Sequence, residues 1–322
     1  LVPNDHIDMD NPTIKQNIDA FIDEATEIWD TMDTNNPDYL WEDISRPRDS
    51  GQITSNYRNL RTLAEAYQME VSPFYQNEQL LEDIIYGLDW MEANRYSDNG
   101  DDHGNWWDFQ IGAPQALNDT VILVHDHLTD EQINRYMSAI KTYVPDPTVY
   151  YSTPDQGNWE LEAVGANLVD LIKVVVVQGI NSEEEARVLQ GRDAFPTIEF
   201  KTSGTGDGLY FDGSFVDHSN IAYTGTYGTV LLGNMLDMNY LLAESAYSLN
   251  QDDFASIYTM IEEAFQPVIY RGLMMDMVNG RAISREATQN IGYGVEAMEH
   301  IIQYTDIAPL EFKEKFQRMV KQ

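Results

Sequence analysis

The sequence predicts an all-α protein built from paired helices. Apolar residues recur at helical spacing, on one face, in about ten separate segments. Short connectors rich in Asp, Asn, Gly and Pro separate those segments. No stretch alternates apolar and polar residues over enough neighbours to read as a strand. Helices of roughly 12–22 residues joined by short turns suggest an α/α toroid or a helical bundle.

The first helix carries Ile14, Ile18, Phe21, Ile22, Ala25 and Ile28 on one face, and Asn11-Pro12 ahead of it is a start signal. The same periodicity predicts helices over 54–69, 77–95, 108–127 and 130–143. The next, 160–179, contains the longest apolar run, Leu168 to Val177, which Asp170 and Lys173 interrupt. Further helices are expected over 183–195, 225–247, 251–271 and 284–304. Tyr96 to Gly104 and Thr202 to Gly208 are connectors. Neither an internal repeat nor a linker divides the chain, so residues 1–322 are expected to form a single domain.

Composition narrows the function. Apolar residues make up 43% of 322, enough for a sizeable core. No apolar run approaches the roughly 18 residues needed to span a bilayer. The start, Leu-Val-Pro-Asn-Asp, lacks the basic end and apolar core of a signal peptide, and lacks an initiator Met, which points to a mature or trimmed product. Without cysteine there are no disulfides or thiolate metal sites. With 19 basic against 54 acidic residues the net charge is −35. Such a surface repels nucleic acid and anionic membranes. It serves solubility, or suits high salt, where screening removes self-repulsion.

Four segments carry candidate chemistry. In Gly104-Asn-Trp-Trp-Asp-Phe-Gln-Ile-Gly112, Trp106 and Trp107 point about 100° apart on a helix, so both cannot face one core. An exposed indole can stack on a sugar ring, and Asn105 adds amide donors and acceptors; the plainer reading is two core tryptophans. In the second, Asn167 and Asp170 stand one turn apart; the Asn amide can bind a carboxylate without adding charge, or simply serve a helix start. The third, Ser214 to Gly228, places His218 nine residues before Tyr227, with Tyr223 between. That set suits removal of a proton from carbon without a metal or cofactor, although each residue alone would read as packing. A tyrosine is a poor base at neutral pH unless nearby cations lower its pKa. In the fourth, Arg281 and Arg285 are four apart and share a face if a helix begins near Ala282. They could hold a uronate or sulfate and acidify Tyr227, or pair with Glu286 or Asp276 at the surface. His125 and His127 flank Asp126 without an evident third metal ligand, so no metal site is expected.

Taken together and in this order, the four segments resemble the catalytic α-domain of polysaccharide lyase family eight, which contains hyaluronate, chondroitin AC and xanthan lyases. The likeness runs from Leu40-Trp-Glu-Asp to the helix after Arg285. It is closest to bacterial hyaluronate lyases, in Asn105-Trp-Trp-Asp, Gly165-Ala-Asn-Leu-Val-Asp, Asp212-Gly-Ser-Phe-Val-Asp-His, Ala222-Tyr-Thr-Gly-Thr-Tyr-Gly and Gly280-Arg-Ala-Ile-Ser-Arg-Glu. The resemblance implies an incomplete α/α toroid. It makes Asn167, His218 and Tyr227 the catalytic trio, Arg281 and Arg285 the supporting arginines, and Asn105, Trp106 and Trp107 an aromatic patch that positions the polymer. It implies an acidic polysaccharide as partner, with hyaluronan ahead of chondroitin and xanthan, no cofactor, and a secreted or cell-surface location. Members continue into β-sandwich domains that are absent from this chain.

The expected reaction is β-elimination at a uronate, with Asn167 on the carboxylate and Tyr227 and His218 moving the proton. Two alternatives stand beside it. One is a toroid hydrolase using two carboxylates such as Asp108 and Glu162. The other is a carbohydrate-binding module that holds polymer on Trp106 and Trp107 without altering it.

Overall fold

The computed structural model describes the chain except residues 3, 5, 6, 196–199, 202–205, 250, 286–289 and 322. Helix dominates the described residues, as the periodicity predicts, and the strands among them are only two or three residues long. Strands that short carry too few alternations to register in a sequence. The chain divides into two compact units, residues 1–161 with 174–190, and 162–173 with 191–322.

The first unit begins with α1 (Pro12–Asp30), whose Asn11 side chain accepts from Thr13 and Ile14 N–H, as the start signal predicts. α2 (Ser50–Gln68) is its central helix and packs on α1, α3 (Glu78–Asn94) and α4 (Ala113–Val124). Ile53, Tyr57, Leu60, Leu63 and Ala64 of α2 are buried. Each such aliphatic side chain contributes about 1.5–3 kcal/mol on burial. Gly87 lets α3 approach closely, because a β-carbon there would fall 2.5 Å from Leu60 Cδ2. The expected 108–127 helix has an α-helical middle, with a wider π-turn over Asp108–Gly112 and a 3₁₀ turn over His125–His127 at its ends. α5 (Asp130–Tyr143) follows, its capping box formed by Thr129 and Gln132. β1 (Val149–Tyr151) pairs with β2 (Glu160–Glu162). The helix expected over 160–179 therefore starts later, as α6 (Gly165–Asn181): Gly165 sits at φ +56, outside helical geometry. α7 (Glu185–Asp193) completes the unit's helices, apart from its last residues.

The second unit holds a four-stranded sheet, β3 (Phe200–Lys201), β4 (Gly208–Tyr210), β5 (Phe215–Asp217) and β6 (Ile221–Ala222), in that spatial order. β3 and β4 are parallel and the others antiparallel. α8 (Thr229–Leu242) ends sooner than expected, just before Glu244 at φ +58. α9 (Gln251–Met260) gives way to a π-turn, a 3₁₀ turn beginning Gln266-Pro267, and the hairpin β7 (Ile269–Tyr270) and β8 (Leu273–Met274), so no single helix runs over 251–271. α10 (Asn290–Ile307) packs on α8, β8 and α11 (Leu310–Val320). α11 lies beyond the last expected helix, although Phe312, Phe316 and Met319 stand at helical spacing along it, with Phe316 and Met319 buried. Leu232, Met235, Phe254, Ile257, Phe265, Ile301 and Tyr304 form this unit's core.

Candidate active site

The site in the second unit is built on the β5–β6 hairpin. Asp217 pairs with Ile221 across it, and the turn between them starts with His218 at φ +54 and Ser219 at φ +73. Two successive non-glycine residues in the left-handed region cost roughly 1–2 kcal/mol each. Two acids hold this backbone in place. Asp217 Oδ1 accepts the His218 N–H at 2.7 Å, and Asp207 Oδ1 accepts the Ser219 N–H at 2.5 Å. The turn projects the imidazole, whose Nδ1 is 2.5 Å from Asp217 Oδ1.

Tyr227 lies in a π-turn, Thr224–Gly228, that leads into α8. The wider turn separates Tyr223 and Tyr227 from the helix's regular spacing. His218, Tyr223 and Tyr227 form a mutual ring cluster, with centroids 5.4 Å apart for His218–Tyr223 and 4.8 Å for each of the other two pairs. Tyr223 is buried and Tyr227 half-buried.

Arg281 ties this cluster together. Its backbone N–H and its Nε donate to the Tyr223 hydroxyl at 3.1 and 3.0 Å, and its Nη2 is 2.9 Å from His218 Nε2. Its charge also acts on the Tyr227 hydroxyl. Gly280 makes the approach feasible: a β-carbon there would fall 2.0 Å from Tyr223 Cε1. The turn Gly280–Ser284 is 3₁₀, not α, and Arg285 follows it in extended backbone, exposed. The α-helical face expected to unite Arg281 and Arg285 is therefore not formed. Glu286, one of the two acids offered as a surface partner for these arginines, lies outside the described residues.

Burial pushes the Tyr227 phenol above its ordinary pKa, the Asp217 carboxylate pushes it further, and Arg281 pulls it back. Arg281 acts in the expected direction, but the net shift is upward, because desolvation is the larger effect. Burial likewise raises Asp217, against the hydrogen bond from His218.

Asn167 lies in the first turn of α6, half-buried, and its carboxamide has no hydrogen-bond partner among the described residues. Two residues earlier, a β-carbon on Gly165 would sit 3.4 Å from Asp217 Oδ2, so the start of α6 lies against β5. One turn further along α6, Asp170 accepts from Asn234 at 2.7 Å and anchors the helix to α8.

The first unit carries a separate aromatic cluster. Trp106 stacks on Tyr150 with centroids 4.2 Å apart, and Trp159 meets Tyr150 edge-on at 5.7 Å. Trp106 and Trp107 are both half-buried, in keeping with the expectation that they cannot share one core. Trp107 lies over Gly112, where a β-carbon would be 2.5 Å from its Cζ3, and Arg58 stands 5.9 Å from its ring. Asn105 Oδ1 accepts the Trp107 N–H at 3.4 Å. Asp108 is buried, its two oxygens taken by Ser50 and Thr54 hydroxyls at 2.7 and 2.8 Å, which leaves it ill suited to the acid role of a hydrolase. His125 meets the Asn181 carbonyl and His127 the Tyr67 hydroxyl, so the two rings turn to different partners. Sequence reasoning missed Asp217, Tyr150 and Trp159 as site residues. Asp217 immediately precedes His218, and Trp159 lies in the segment quoted for Asn167, but only the fold supplies their partners.

The whole chain, residues 1–322, matches the family described as polysaccharide lyase family 8, N-terminal alpha-helical domain. It is 34% identical over 323 residues to the hyaluronate lyase HylB of Enterococcus faecalis, covering 98% of this chain and 32% of that protein. The Paenibacillus xanthan lyase structure superposes with a TM-score of 0.87 at 36% identity, over 98% of this chain and 29% of that one. The Streptomyces coelicolor A3 chondroitin AC lyase, solved with chondroitin sulphate, gives 0.87 at 31% identity, over 96% and 42%. These likenesses accord with the α/α toroid class expected from the sequence. The chain thus spans about a third of HylB's length.

Proposed function

The chain belongs to polysaccharide lyase family 8, as its N-terminal α-helical domain, and on that premise we propose that it cleaves a uronate-containing polysaccharide by β-elimination, hyaluronan first among the candidates. The observation that carries this is the contact of Arg281 with His218 and Tyr223, the two rings that pack against Tyr227. One guanidinium is thereby set into a cluster of two phenols and an imidazole.

In the proposed reaction, Tyr227 as phenolate takes the C5 proton of the uronate. The electron pair of the C5–H bond forms the C4–C5 double bond, and the C4–O bond breaks. The departing glycosidic oxygen takes its proton back from Tyr227. Asn167, whose amide is unpaired among the described residues, binds the uronate carboxylate and spreads the charge that develops on C5. Arg281 stabilises the phenolate, offsetting part of the cost of burying it. His218 orients the substrate beside Tyr227, and Arg285 supports the anionic chain.

Trp106 and Trp107 position sugar rings by stacking, Asn105 adds amide hydrogen bonds, and the Tyr150–Trp159 pair extends that aromatic surface. We assign the chain a secreted or cell-surface location, where such polymers occur; among the described residues no helix is long and apolar enough to cross a membrane. Relatives about three times longer than this chain support a further part to the same protein, which we assign to β-sandwich domains that complete the substrate site.

The test is ultraviolet absorbance during incubation with hyaluronan, unsulfated chondroitin and xanthan. A rise from the conjugated unsaturated uronate supports elimination and ranks the polymers. Saturated ends would instead mean hydrolysis, and binding without absorbance would mean a carbohydrate-binding domain. Tyr227→Phe is expected to abolish the rise while leaving polymer binding within about threefold, since the hydroxyl is used in the transition state and the ring remains.

A further inference from the structure

We propose that Asp217 is a positioning residue that holds His218 in a single neutral tautomer, Nδ1–H, and thereby aims the Nε2 lone pair at Arg281. The proposal rests on the lyase reading for its consequence in turnover, but not for the tautomer itself.

The argument is one of donors and acceptors. An arginine guanidinium has five N–H donors and no acceptor. Arg281 Nη2 lies 2.9 Å from His218 Nε2, so Nε2 must be the accepting nitrogen. The ring's one hydrogen is then on Nδ1, which lies 2.5 Å from Asp217 Oδ1, a carboxylate that can only accept when ionised. The two contacts admit one arrangement. The opposite tautomer would set a lone pair against the carboxylate and an N–H against the guanidinium. An imidazolium would also meet Arg281 donor to donor.

Asp217 is well placed to impose this. It is 4% exposed, and the same Oδ1 that faces the ring also accepts the His218 backbone N–H, which ties the carboxylate to the turn. Among the described residues, the other charged or titratable groups facing the turn are Asp207, on the Ser219 N–H, and Arg281, Tyr223 and Tyr227 around the ring. With Nε2 committed to it, Arg281 is steered into the space between the imidazole and the two phenols. Asp217 thus acts on Tyr227 through His218 and Arg281.

The tautomer can be read directly. The 322-residue chain is labelled with ¹⁵N-histidine, and long-range ¹H–¹⁵N correlation spectra are recorded at neutral pH. His218 is assigned as the resonance lost in His218→Gln. The expected spectrum has a protonated Nδ1 and a bare Nε2. A protonated Nε2, or averaging of the two nitrogens, would overturn the proposal. In Asp217→Asn the preference should collapse, because an amide can offer either a donor or an acceptor to Nδ1, and turnover should fall at least about tenfold with KM little changed. Retention of the wild-type pattern in that variant would remove Asp217 from the role. Arg281→Ala is the second arm. If Asp217 sets the tautomer, Nδ1 stays protonated there; if the nitrogens average, Arg281 sets it and the assignment to Asp217 is wrong. The spectra need no turnover, so a chain without lyase activity would count against the functional reading and leave the tautomer result standing.

Discussion

A methyl group on Gly280 would fall 2.0 Å from Tyr223 Cε1, and the residue sits at φ +52, where side chains are strained. Gly280→Ala should therefore destabilise the chain by about 1–3 kcal/mol, by overpacking and strain together. It should also lower turnover by displacing Arg281 from Tyr223. Urea unfolding and the absorbance assay check the two effects separately. Arg281→Ala tests the electrostatics. Burial and Asp217 raise the Tyr227 pKa and Arg281 lowers it. If the phenolate is the base, kcat/KM rises with pH as Tyr227 loses its proton. Without Arg281 the raising effects are unopposed, and that rising limb should move to higher pH. A limb that stays put would take Tyr227 or Arg281 out of this role. At this scale the sequence made His218, Tyr227 and Arg281 legible, because they stand in unusual local motifs. It did not reveal that Tyr223 is the acceptor of two Arg281 N–H groups across 58 residues of chain.

The connection between α6 and α8 shows two polar contacts of unequal worth. Asp170 is 8% exposed and accepts from Asn234, while Lys173 pairs with Asp237 at 2.7 Å near the surface. Asp170→Ala leaves the Asn234 donor without this acceptor and should cost about 1–3 kcal/mol. Lys173→Ala should cost less than about 1 kcal/mol, since solvent screens that pair. Equal losses in urea unfolding would contradict this ranking. Helix existence was legible here, including the Asp170 and Lys173 interruptions that turn out to face α8. Helix starts and stops were less so. The Gly165 backbone, the Glu244 backbone and the Pro267 turn each end or delay a periodic pattern that hydrophobic spacing alone would have continued. The β5–β6 hairpin was invisible because two or three residues hold no period, yet it carries His218.

Across the whole chain, 54 acidic residues face 19 basic ones, and the substrate class proposed is also anionic. Added salt shortens the screening length from about 10 Å at 0.1 M to about 3 Å at 1 M. That weakens self-repulsion, and repulsion of the polymer, more than the short contacts around Arg281. Melting temperature should therefore rise with sodium chloride, and turnover on hyaluronan should be maintained or increased. A steep loss of turnover on adding salt would mean that long-range attraction, not the local arginines, brings the polymer in.

Periodicity and composition by themselves determined the helical class and most of the helices, and the motifs set the family expectation that the comparisons bear out. These properties are local, or sums over the chain, so a linear reading recovers them. Only the tertiary structure decided that Asp217 holds His218, that Arg281 meets both His218 and Tyr223, that Asp108 is spent on two hydroxyls, and that Tyr150 stacks on Trp106. Apart from the adjacent Asp217–His218 pair, each joins residues far apart in sequence, and in every case the partner is chosen by packing and by the demand that buried polar groups be satisfied, which no local spacing encodes.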